Sequence, residues 1–416
     1  MVHKLTHSLG NWMPRNRNLV ENWLSGLIEQ VSSNPRPLHP IIEDFKDLIE
    51  GDPEVYMLFH LMFDQVPEKY KDDPTGQPQV RDYHLMLGLF NAIMTRAPEY
   101  MDNALVGFPI NAILDWPMGT PAGFAAFLNP KVNAQFEAML GEWARFLDSP
   151  DSLYVLSDDP KKGWFGTAAM KKMPGFDQLF VCDPKAPYRG FRSWDDFFTR
   201  EFRPGARPVA APDDDSVIVN ACESGPYCLA TGVKPRDQFW LKNQPYSLEH
   251  MLAGDSLTPE FIGGTVYQAF LDALSYHRWH SPVGGTVVKT CVEPGTYYSE
   301  AQSEEFDPAG PNNSQGYITQ VATRAMIFIE ADNPAIGLMC FMAVGMAEVS
   351  TCDIRVYEGQ HVAKGDQIGM FHFGGSTHCL ILRPGVHLEF DFHGQQPNVN
   401  AKPIPVNERI ATVVKR

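Results

Sequence analysis

Three short segments of the chain hold side chains suited to nucleophilic catalysis. Ser376 follows two glycines in the segment GGST, His277 and His280 stand three residues apart in YHRWHSP, and Glu223 lies in ACESG. A hydroxyl, an imidazole and a carboxylate are the parts of a nucleophile, its base and the acid that orients the base. The segments therefore predict an active site if the fold brings them together.

The segment GGST allows two interpretations. Glycine weakens a strand, so Gly374 and Gly375 can mark a bend or a bulge, which is the interpretation that the segment favours on its own. Glycine also permits unusual backbone conformations and leaves its carbonyl accessible. In the second interpretation the hydroxyl of Ser376 attacks the carbonyl of Gly375, and the peptide bond between residues 375 and 376 becomes an ester.

The other two segments are equally open when each is taken alone. Two histidines three residues apart on a helix share one face and could hold a metal. Pro282 follows closely, so a strand or a turn is the alternative, and a lone histidine more often serves the structure. A lone Glu223 is typically a surface carboxylate. No third ligand stands at a recognisable spacing, so no metal is expected.

The first half of the chain has the pattern of helices. From about Leu38 to Phe146 apolar residues recur at three and four spacing, and Asp52 and Asn129, each followed by proline, are helix-start signals. Proline and glycine separate the helical segments. We expect an all-α domain here that serves the structure and holds no group of catalytic residues.

The second half has the pattern of strands. From about Phe191 short β-rich segments follow one another between Gly, Pro, Asn and Asp turns, and IGLMCFMAVGMA is predicted to be a buried strand. The fold class is therefore α+β, an all-α domain followed by a mainly antiparallel β sandwich or barrel. We predict an N-terminal arm over 1–37, a helical domain over 38–160, a connecting segment over 161–190 and a β domain over 191–416.

Length and composition narrow the class of protein. The 416 residues are too many for one ordinary core, and a net charge of −16 disfavours nucleic acid and anionic lipid as partners. No secretory signal and no apolar run of membrane-spanning length is seen. The seven cysteines are odd in number and scattered, as expected for reduced thiols. We expect a cytoplasmic protein with no nucleic-acid partner and no stable membrane anchor.

Roughly residues 192 to 416 resemble the phosphatidylserine decarboxylase family, pyruvoyl-dependent enzymes that cleave themselves at a Gly-Ser bond. The resemblance rests on six segments that occur in the order typical of the family. They are SWDDFFTREFRPGARPV, FWLKNQPYSLEHMLAG, YHRWHSPVGGTV, EPGTYYS, AVGMAEVSTCDI and EGQHVAKGDQIGMFHFGGST. The six segments in this order indicate the family far more specifically than any single segment does.

Two departures from the family pattern bear on the substrate. The family has an Asp-Gly pair where this chain has Cys222-Glu223-Ser224-Gly225, so the acid is one methylene longer. A helical domain stands where the family has a membrane-anchoring N-terminal span. These features resemble the soluble branch of the family that acts on free aromatic amino acids. The resemblance thus implies decarboxylation of such amino acids, with L-tryptophan to tryptamine as the expected reaction.

The resemblance also implies roles for individual residues. Ser376 is the precursor of the pyruvoyl group, which replaces PLP as the electron sink, and His280 is the base that activates it. Glu223 orients that imidazole, and His277 is the acid that returns a proton to the product. Cleavage after Gly375 gives chains 1–375 and 376–416, which are expected to stay together in one β core.

The substrate pocket is predicted from residues that lie beside these segments. A free aromatic amino acid needs an apolar slot with a few polar groups. The candidates are Tyr276, Trp279, Tyr298, Met346 and Phe373. The expected partners are this small-molecule substrate and the chain's own cleaved fragment, and a homodimer is left open.

Three alternatives remain at this point. The first is a phosphatidylserine decarboxylase acting on lipid. The second is a non-catalytic β module, because VYEGQHVAKGDQIG resembles the hairpins of biotinyl and lipoyl carrier domains, with Lys364 in the turn. The third is a metal hydrolase that uses His277 and His280.

Overall fold

The structure is a computed structural model of the chain. It describes residues 17–65, 80–101, 107–237, 246–301, 314–348, 351–373 and 375–414. Everything below refers to these residues.

The first half folds into helices, and two of them begin where the sequence predicted a helix start. Asp52 caps the helix that begins at Pro53 by accepting the N–H groups of Glu54 and Val55, and Asn129 caps the helix that begins at Pro130, so both predicted starts are confirmed. The long helices are α1 (Arg17–Ser33), α2 (Pro40–Gly51), α3 (Pro53–Asp64), α4 (Tyr83–Ile93), α5 (Pro109–Met118), α6 (Pro121–Leu128) and α7 (Pro130–Leu147).

Aromatic side chains form the centre of this helical region. The ring of Phe45 lies 5.8 Å from that of Phe59 and 5.0 Å from that of Phe136, both in edge-to-face geometry. All three side chains are fully buried. Burial of each such ring contributes on the order of 1.5–3 kcal/mol, so the apolar stripes seen in the sequence account for the helix packing.

Shorter helices follow before and between the strands. They are α8 (Thr167–Lys172), α9 (Phe176–Leu179), α10 (Trp194–Phe198), α11 (Leu248–Met251) and α12 (Gln315–Val321), with 3-10 turns at Pro150–Val155, Pro187–Gly190 and Thr258–Phe261.

The second half forms three sheets, and every pairing between the named strands is antiparallel. The strands are β1 (Val217–Val219), β2 (Gly225–Thr231), β3 (Thr265–Leu271), β4 (Arg278–His280), β5 (Gly285–Glu293), β6 (Arg324–Ala331), β7 (Leu338–Met346), β8 (Cys352–Ile354), β9 (His361–Val362), β10 (Gln367–Phe371), β11 (Gly375–Leu382), β12 (Leu388–Phe390) and β13 (Arg409–Val413). Helices followed by antiparallel sheets confirm the predicted α+β class.

The largest sheet has seven strands in the order β2-β3-β11-β7-β6-β5-β9. All nine residues of β7 are buried, which confirms the prediction of a buried strand in this segment. The smaller sheets have the orders β4-β10-β8 and β1-β13-β12. No helix within the described ranges is both long enough and apolar enough to cross a membrane.

The chain divides into two compact units. The helical unit contains residues 1–174, 183–197 and 296–314, and the β unit contains residues 175–182, 198–295 and 315–416. Residues 296–301 thus come from the second half of the sequence but group with the helical unit. The predicted linear domain limits stay a prediction.

Candidate active site

Ser376 lies near the start of β11, in the middle of the large sheet. Its ladder partners are Leu271 of β3 and Gly345 of β7. The residue is fully buried, and its Oγ has no hydrogen-bond partner within the described part of the chain. Because Gly345 carries no side chain, the β7 neighbour leaves this hydroxyl uncrowded. Residues 375 and 376 therefore belong to a regular strand, whereas Gly374 lies outside the described residues.

His280 ends β4 and is held by hydrogen bonds at both ring nitrogens. Nδ1 lies 2.7 Å from the carbonyl oxygen of Gly365, and Nε2 lies 2.8 Å from the hydroxyl of Tyr276. A carbonyl only accepts, so Nδ1 carries the proton and Nε2 accepts from Tyr276. Burial lowers the pKa of His280, so the imidazole is neutral at pH 7. The bond from Nδ1 to Gly365 fixes the tautomer that a base acting through Nε2 requires.

Gly365 reaches His280 from the turn between β9 and β10. Its φ is +88°, and an added Cβ would lie 2.4 Å from a side-chain carbon of Val209. Its N–H donates to the carbonyl of Ser281, one residue beyond the imidazole. Glycine is thus required here for both conformation and space. The KGD turn seen in the sequence serves to place the carbonyl that orients His280.

The carboxylate of Glu223 is bound elsewhere than at the imidazole of His280. It accepts a forked pair of bonds from the guanidinium of Arg207, and Oε2 accepts the N–H of Val406 at 2.8 Å. Both nitrogens of His280 have other partners, so a direct bond of the expected kind is not formed. The negative charge still acts on His280 through space, since it favours the protonated imidazole.

His277 precedes β4 in a fully buried aromatic setting. Its ring stacks on that of Phe198 at 4.0 Å, and Phe198 contacts Phe373 at 5.5 Å. Burial and then the nearby charge of Arg200 lower the pKa of His277 well below its ordinary value. The guanidinium of Arg200 is itself buried and donates to the carbonyls of Leu274 and Ser275. His277 is therefore neutral in this chain, beside a fixed positive charge.

The predicted pocket residues are all buried, but they lie in different parts of the structure. Tyr276 bonds His280, and Trp279 faces the large sheet, where its ring lies 5.6 Å from that of Phe341. Met346 pairs with Gly375, so its side chain is on the sheet face opposite to Ser376.

The remaining pocket candidates have aromatic partners of their own. Phe373 joins the group around His277 through Phe198. Tyr298 belongs to the helical unit, where its ring contacts those of Phe136 and Phe127. The fold therefore places only some of the five predicted pocket residues near the candidate catalytic residues.

Lys364 lies in the KGD turn of the hairpin that resembles a carrier module, not in a carrier's modified-lysine motif. The residue is 8% exposed, and its Nζ donates to the carbonyls of Ala211, Asp214 and Val217. A carrier lysine must project into solvent to be modified, so this placement disfavours a biotinyl or lipoyl module.

Neither histidine lies on a helix. His277 immediately precedes β4, and His280 is the last residue of that strand. Because the two residues are three apart on an extended backbone, their side chains do not share a face as on a helix. Within the described ranges no group of three or more His, Cys, Asp or Glu side chains is placed to hold a metal ion.

Several residues around the site were missed by the sequence reasoning. Arg200, Arg207 and Phe198 lie in the segment SWDDFFTREFRPGARPV, where a resemblance was noted but no role was assigned. Gly365 lies in the KGD turn, and His378 follows GGST directly. Each of these residues lies in or beside a segment that the sequence analysis had noted. Its contact could not be predicted, because the partner is distant in the chain.

Comparison with known proteins finds family matches over both halves of the chain. Residues 39–173 match a family model described as phosphatidylserine decarboxylase, and residues 194–411 match a second model of the same description. The second match alone covers more than half of the chain.

Fungal decarboxylases are similar over most of the chain. Decarboxylase iboD of Amanita muscaria is 43% identical over 327 residues, covering 74% of this chain and 92% of that protein. L-tryptophan decarboxylase of Psilocybe cubensis is 39% identical over 402 residues, covering 92% of this chain and 88% of that protein. Phosphatidylserine decarboxylase proenzyme 2 of Oryza sativa is 29% identical over 246 residues, which is 58% of this chain and 38% of that protein.

Proposed function

This chain belongs to the phosphatidylserine decarboxylase family, and from that premise we propose that it is a self-processing, pyruvoyl-dependent decarboxylase of free aromatic L-amino acids, with L-tryptophan converted to tryptamine. The chain is thus a decarboxylase, and the substrate and the self-processing are the proposed parts. The observation that carries the proposal is the buried hydroxyl of Ser376, directly after Gly375 in an interior strand of the large sheet, which has no hydrogen-bond partner among the described residues.

Self-processing begins with Ser376 and His280 in this proposal. Nε2 of His280 takes the hydroxyl proton, Oγ attacks the carbonyl carbon of Gly375, and the peptide bond becomes an ester. Elimination then frees the Gly375 carboxylate, and hydrolysis releases ammonia and leaves a pyruvoyl group at residue 376. Nε2 now accepts from Tyr276, so that bond must open before the base can act on Ser376.

Glu223 supports this step from a distance. Its charge favours the protonated form of His280, which develops when the imidazole takes the proton. The bond to Val406 also links residue 223, in the proposed long fragment, to a residue of the short one. Glu223 is therefore a positioning residue that combines electrostatic support with a tie between the two fragments.

The contacts of 376–416 explain how the cleaved fragments would stay together. β11 pairs along its length with β3 and β7, and β13 pairs with β1. Asn220 donates from its side chain to the carbonyl of Ile404 and from its N–H to the carbonyl of Glu408. Removal of one peptide bond leaves all these hydrogen bonds in place.

The residues present fit a pyruvoyl group, since its precursor Ser376 is buried away from water and Oγ has no competing partner in the part of the chain that the structure describes. When formed, the group supplies an electron-withdrawing carbonyl that allows loss of carbon dioxide from the bound amino acid. His277 is neutral before the substrate binds, and the negative charge of a bound substrate carboxylate would favour uptake of one proton by its ring. We assign to His277 the return of a proton to the product carbon.

The choice of a free amino acid over lipid rests on the comparisons and on charge. The protein named L-tryptophan decarboxylase is similar over nearly the whole chain, whereas the rice phosphatidylserine decarboxylase matches a smaller part of it. A net charge of −16 also opposes docking on anionic lipid. The printed name of Decarboxylase iboD gives no substrate, so related free amino acids belong in the assay. A cytoplasmic location and a homodimer stay predictions.

Intact mass and a substrate panel test the proposal. Purified protein is expected to give a C-terminal fragment beginning at residue 376 with a pyruvoyl cap. Release of carbon dioxide is then measured from L-tryptophan, L-tyrosine, L-phenylalanine and phosphatidylserine. A full-length chain that stays uncleaved contradicts self-processing, and activity confined to the lipid reverses the choice of substrate.

A further inference from the structure

A cluster of buried polar atoms lies on the Ser376 face of the large sheet. Side chains alternate along β11, and its register with β3 and β7 is unbroken, so Ser376 and His378 share one face. Tyr267 lies on the same face because it pairs with Leu380. Ser376 Oγ, both ring nitrogens of His378, the hydroxyl of Tyr267 and Nε1 of Trp279 are buried without a hydrogen-bond partner in the described ranges.

Such a concentration is unusual because buried polar groups are nearly always hydrogen-bonded. Within this cluster His378 stands out, since it has no exposed surface and neither ring nitrogen has a hydrogen-bond partner among the described residues. The proposed mechanism uses Ser376 but gives no task to His378. An imidazole kept in this position is explained if its partner is a group that arrives with the substrate.

Small residues surround His378 within the sheet. Its ladder partners are Ala269 of β3 and Ala343 of β7, and the β7 partner of Ser376 is Gly345. These side chains rise little above the sheet. Small residues therefore flank His378 on both neighbouring strands, whereas the β3 partner of Ser376 is the larger Leu271.

Aromatic rings border the imidazole on the same face. The ring of His378 lies 6.2 Å from that of Tyr267 and 5.8 Å from that of Phe341, which it faces in stacked geometry. Trp279, from the smaller sheet, contacts Phe341 at 5.6 Å. His378 is thus a polar side chain set among aromatic rings, the kind of side chains that line binding sites for aromatic ligands.

The imidazole of His378 is uncharged in this setting. Burial lowers the pKa of His378 to about 3, so one ring nitrogen is a donor and the other an acceptor. A neutral donor–acceptor pair suits a neutral polar atom, such as a ring N–H or a phenolic hydroxyl, better than a carboxylate. Two residues of strand separate the Cα atoms of Ser376 and His378 by about 6.6 Å, which is the scale of an aromatic side chain.

We propose that His378 determines substrate specificity, by forming a hydrogen bond to the polar atom on the aromatic side chain of the amino acid, the ring N–H in L-tryptophan. This inference rests on the proposed function, because it takes the reacting amine to be bound at residue 376. Phenylalanine, which has no such atom, leaves the imidazole unsatisfied.

The experiment compares substrates that differ in this one atom. Wild-type enzyme is given L-tryptophan and its benzothienyl analogue, in which sulfur replaces the ring N–H, and kcat/KM is measured for each. We expect a preference for tryptophan of roughly 10-fold or more, since loss of one hydrogen bond to a buried partner has this scale. His378→Leu is expected to bring the ratio to about one, and His378→Gln to retain part of it.

A second readout avoids the chemical step. Calorimetry measures the dissociation constants of tryptamine and its sulfur analogue on the cleaved enzyme, where the same ratio and the same loss in His378→Leu are expected. Ile381→Val is the matched control, because Ile381 lies on the same strand but on the opposite face and is equally buried. It is expected to keep the wild-type ratio in both measurements.

The outcomes separate this inference from the proposed function. An enzyme that is active on tryptophan and keeps its preference in His378→Leu contradicts the role of His378 alone. If that variant does not fold, a wild-type enzyme with no preference between tryptophan and the analogue contradicts it equally. A wild-type enzyme without activity on any free amino acid contradicts the proposed function, and the role of His378 with it.

Discussion

His280 and His378 are two histidines of the β unit with opposite surroundings. His280 is half-buried, and each of its ring nitrogens has a hydrogen-bond partner, the hydroxyl of Tyr276 and the carbonyl of Gly365. His378 is fully buried, and neither nitrogen has a partner in the described ranges. The first arrangement fixes one tautomer and suits a group that the chain itself must aim. The second suits a group whose partner comes from outside the chain.

Replacement of Ser376 has the largest expected effect, because the proposal uses this residue in both the processing step and the decarboxylation. Ser376→Ala removes the only atom that His280 is proposed to activate, and it also removes the precursor of the pyruvoyl group. We expect no cleavage on denaturing electrophoresis and no release of carbon dioxide. Thr377→Ser is the control, because it keeps the adjacent hydroxyl that bonds the carbonyl of Ala269. Cleavage in Ser376→Ala would overturn the assignment of the serine.

His280→Ala tests the bonded histidine. Loss of a general base slows such steps by about 10²–10⁴-fold, so uncleaved chain is expected to accumulate and to convert slowly. His361→Ala, at a mostly exposed histidine paired with Asp332, is the control and should be cleaved at the normal rate. An unchanged rate in His280→Ala would remove this residue from the processing step.

The pH dependence of cleavage follows from the state of His280. Its pKa lies below the ordinary value of 6.5, and the neutral form is the base. The rate of cleavage should therefore be constant from about pH 7 upward and fall only below the ordinary value. Quenched time courses of band conversion measure this. A rate that keeps rising through pH 8 contradicts a neutral His280 as the base.

Gly365→Ala tests the backbone contact that orients His280. The new Cβ meets Val209 at 2.4 Å in a backbone of φ +88°, so the turn must shift and move the carbonyl. We expect the free energy of unfolding to fall by about 1–3 kcal/mol, with slower cleavage. Gly359→Ala is the matched control, since Gly359 has φ +85° but open space around it. If both variants cleave at the normal rate, the carbonyl of Gly365 does not orient the base.

Tyr276→Phe has the smallest expected effect. The hydroxyl occupies Nε2 of His280, and its bond must open before the base acts on Ser376. Its removal leaves Nε2 open, so cleavage should run at least as fast as in the wild type. The measurement is again the rate of band conversion. Clearly slower cleavage in Tyr276→Phe would show that the hydroxyl positions the imidazole of His280, and does not compete with Ser376 for Nε2.

Much of the fold could be predicted because its signals are local. The proline-linked caps at Asp52 and Asn129 need only the next few residues, and the buried strand β7 is a continuous apolar run. The site could be predicted only in part. Ser376 and the two histidines of YHRWHSP were recognisable by type and order. The bond between Glu223 and Val406, which joins residues 183 apart, could not be read from either segment.

The sequence by itself determined the class of fold, the family and the identity of the candidate nucleophile and base, because these depend on short segments and their order. The tertiary structure alone decided the tautomer of His280, the binding of Glu223 to Arg207, the burial of Lys364 and the absence of described partners around His378. The reason is that hydrogen-bond partners are set by strand register and loop closure. Gly365 lies 85 residues from His280 in the chain and 2.7 Å from it in space.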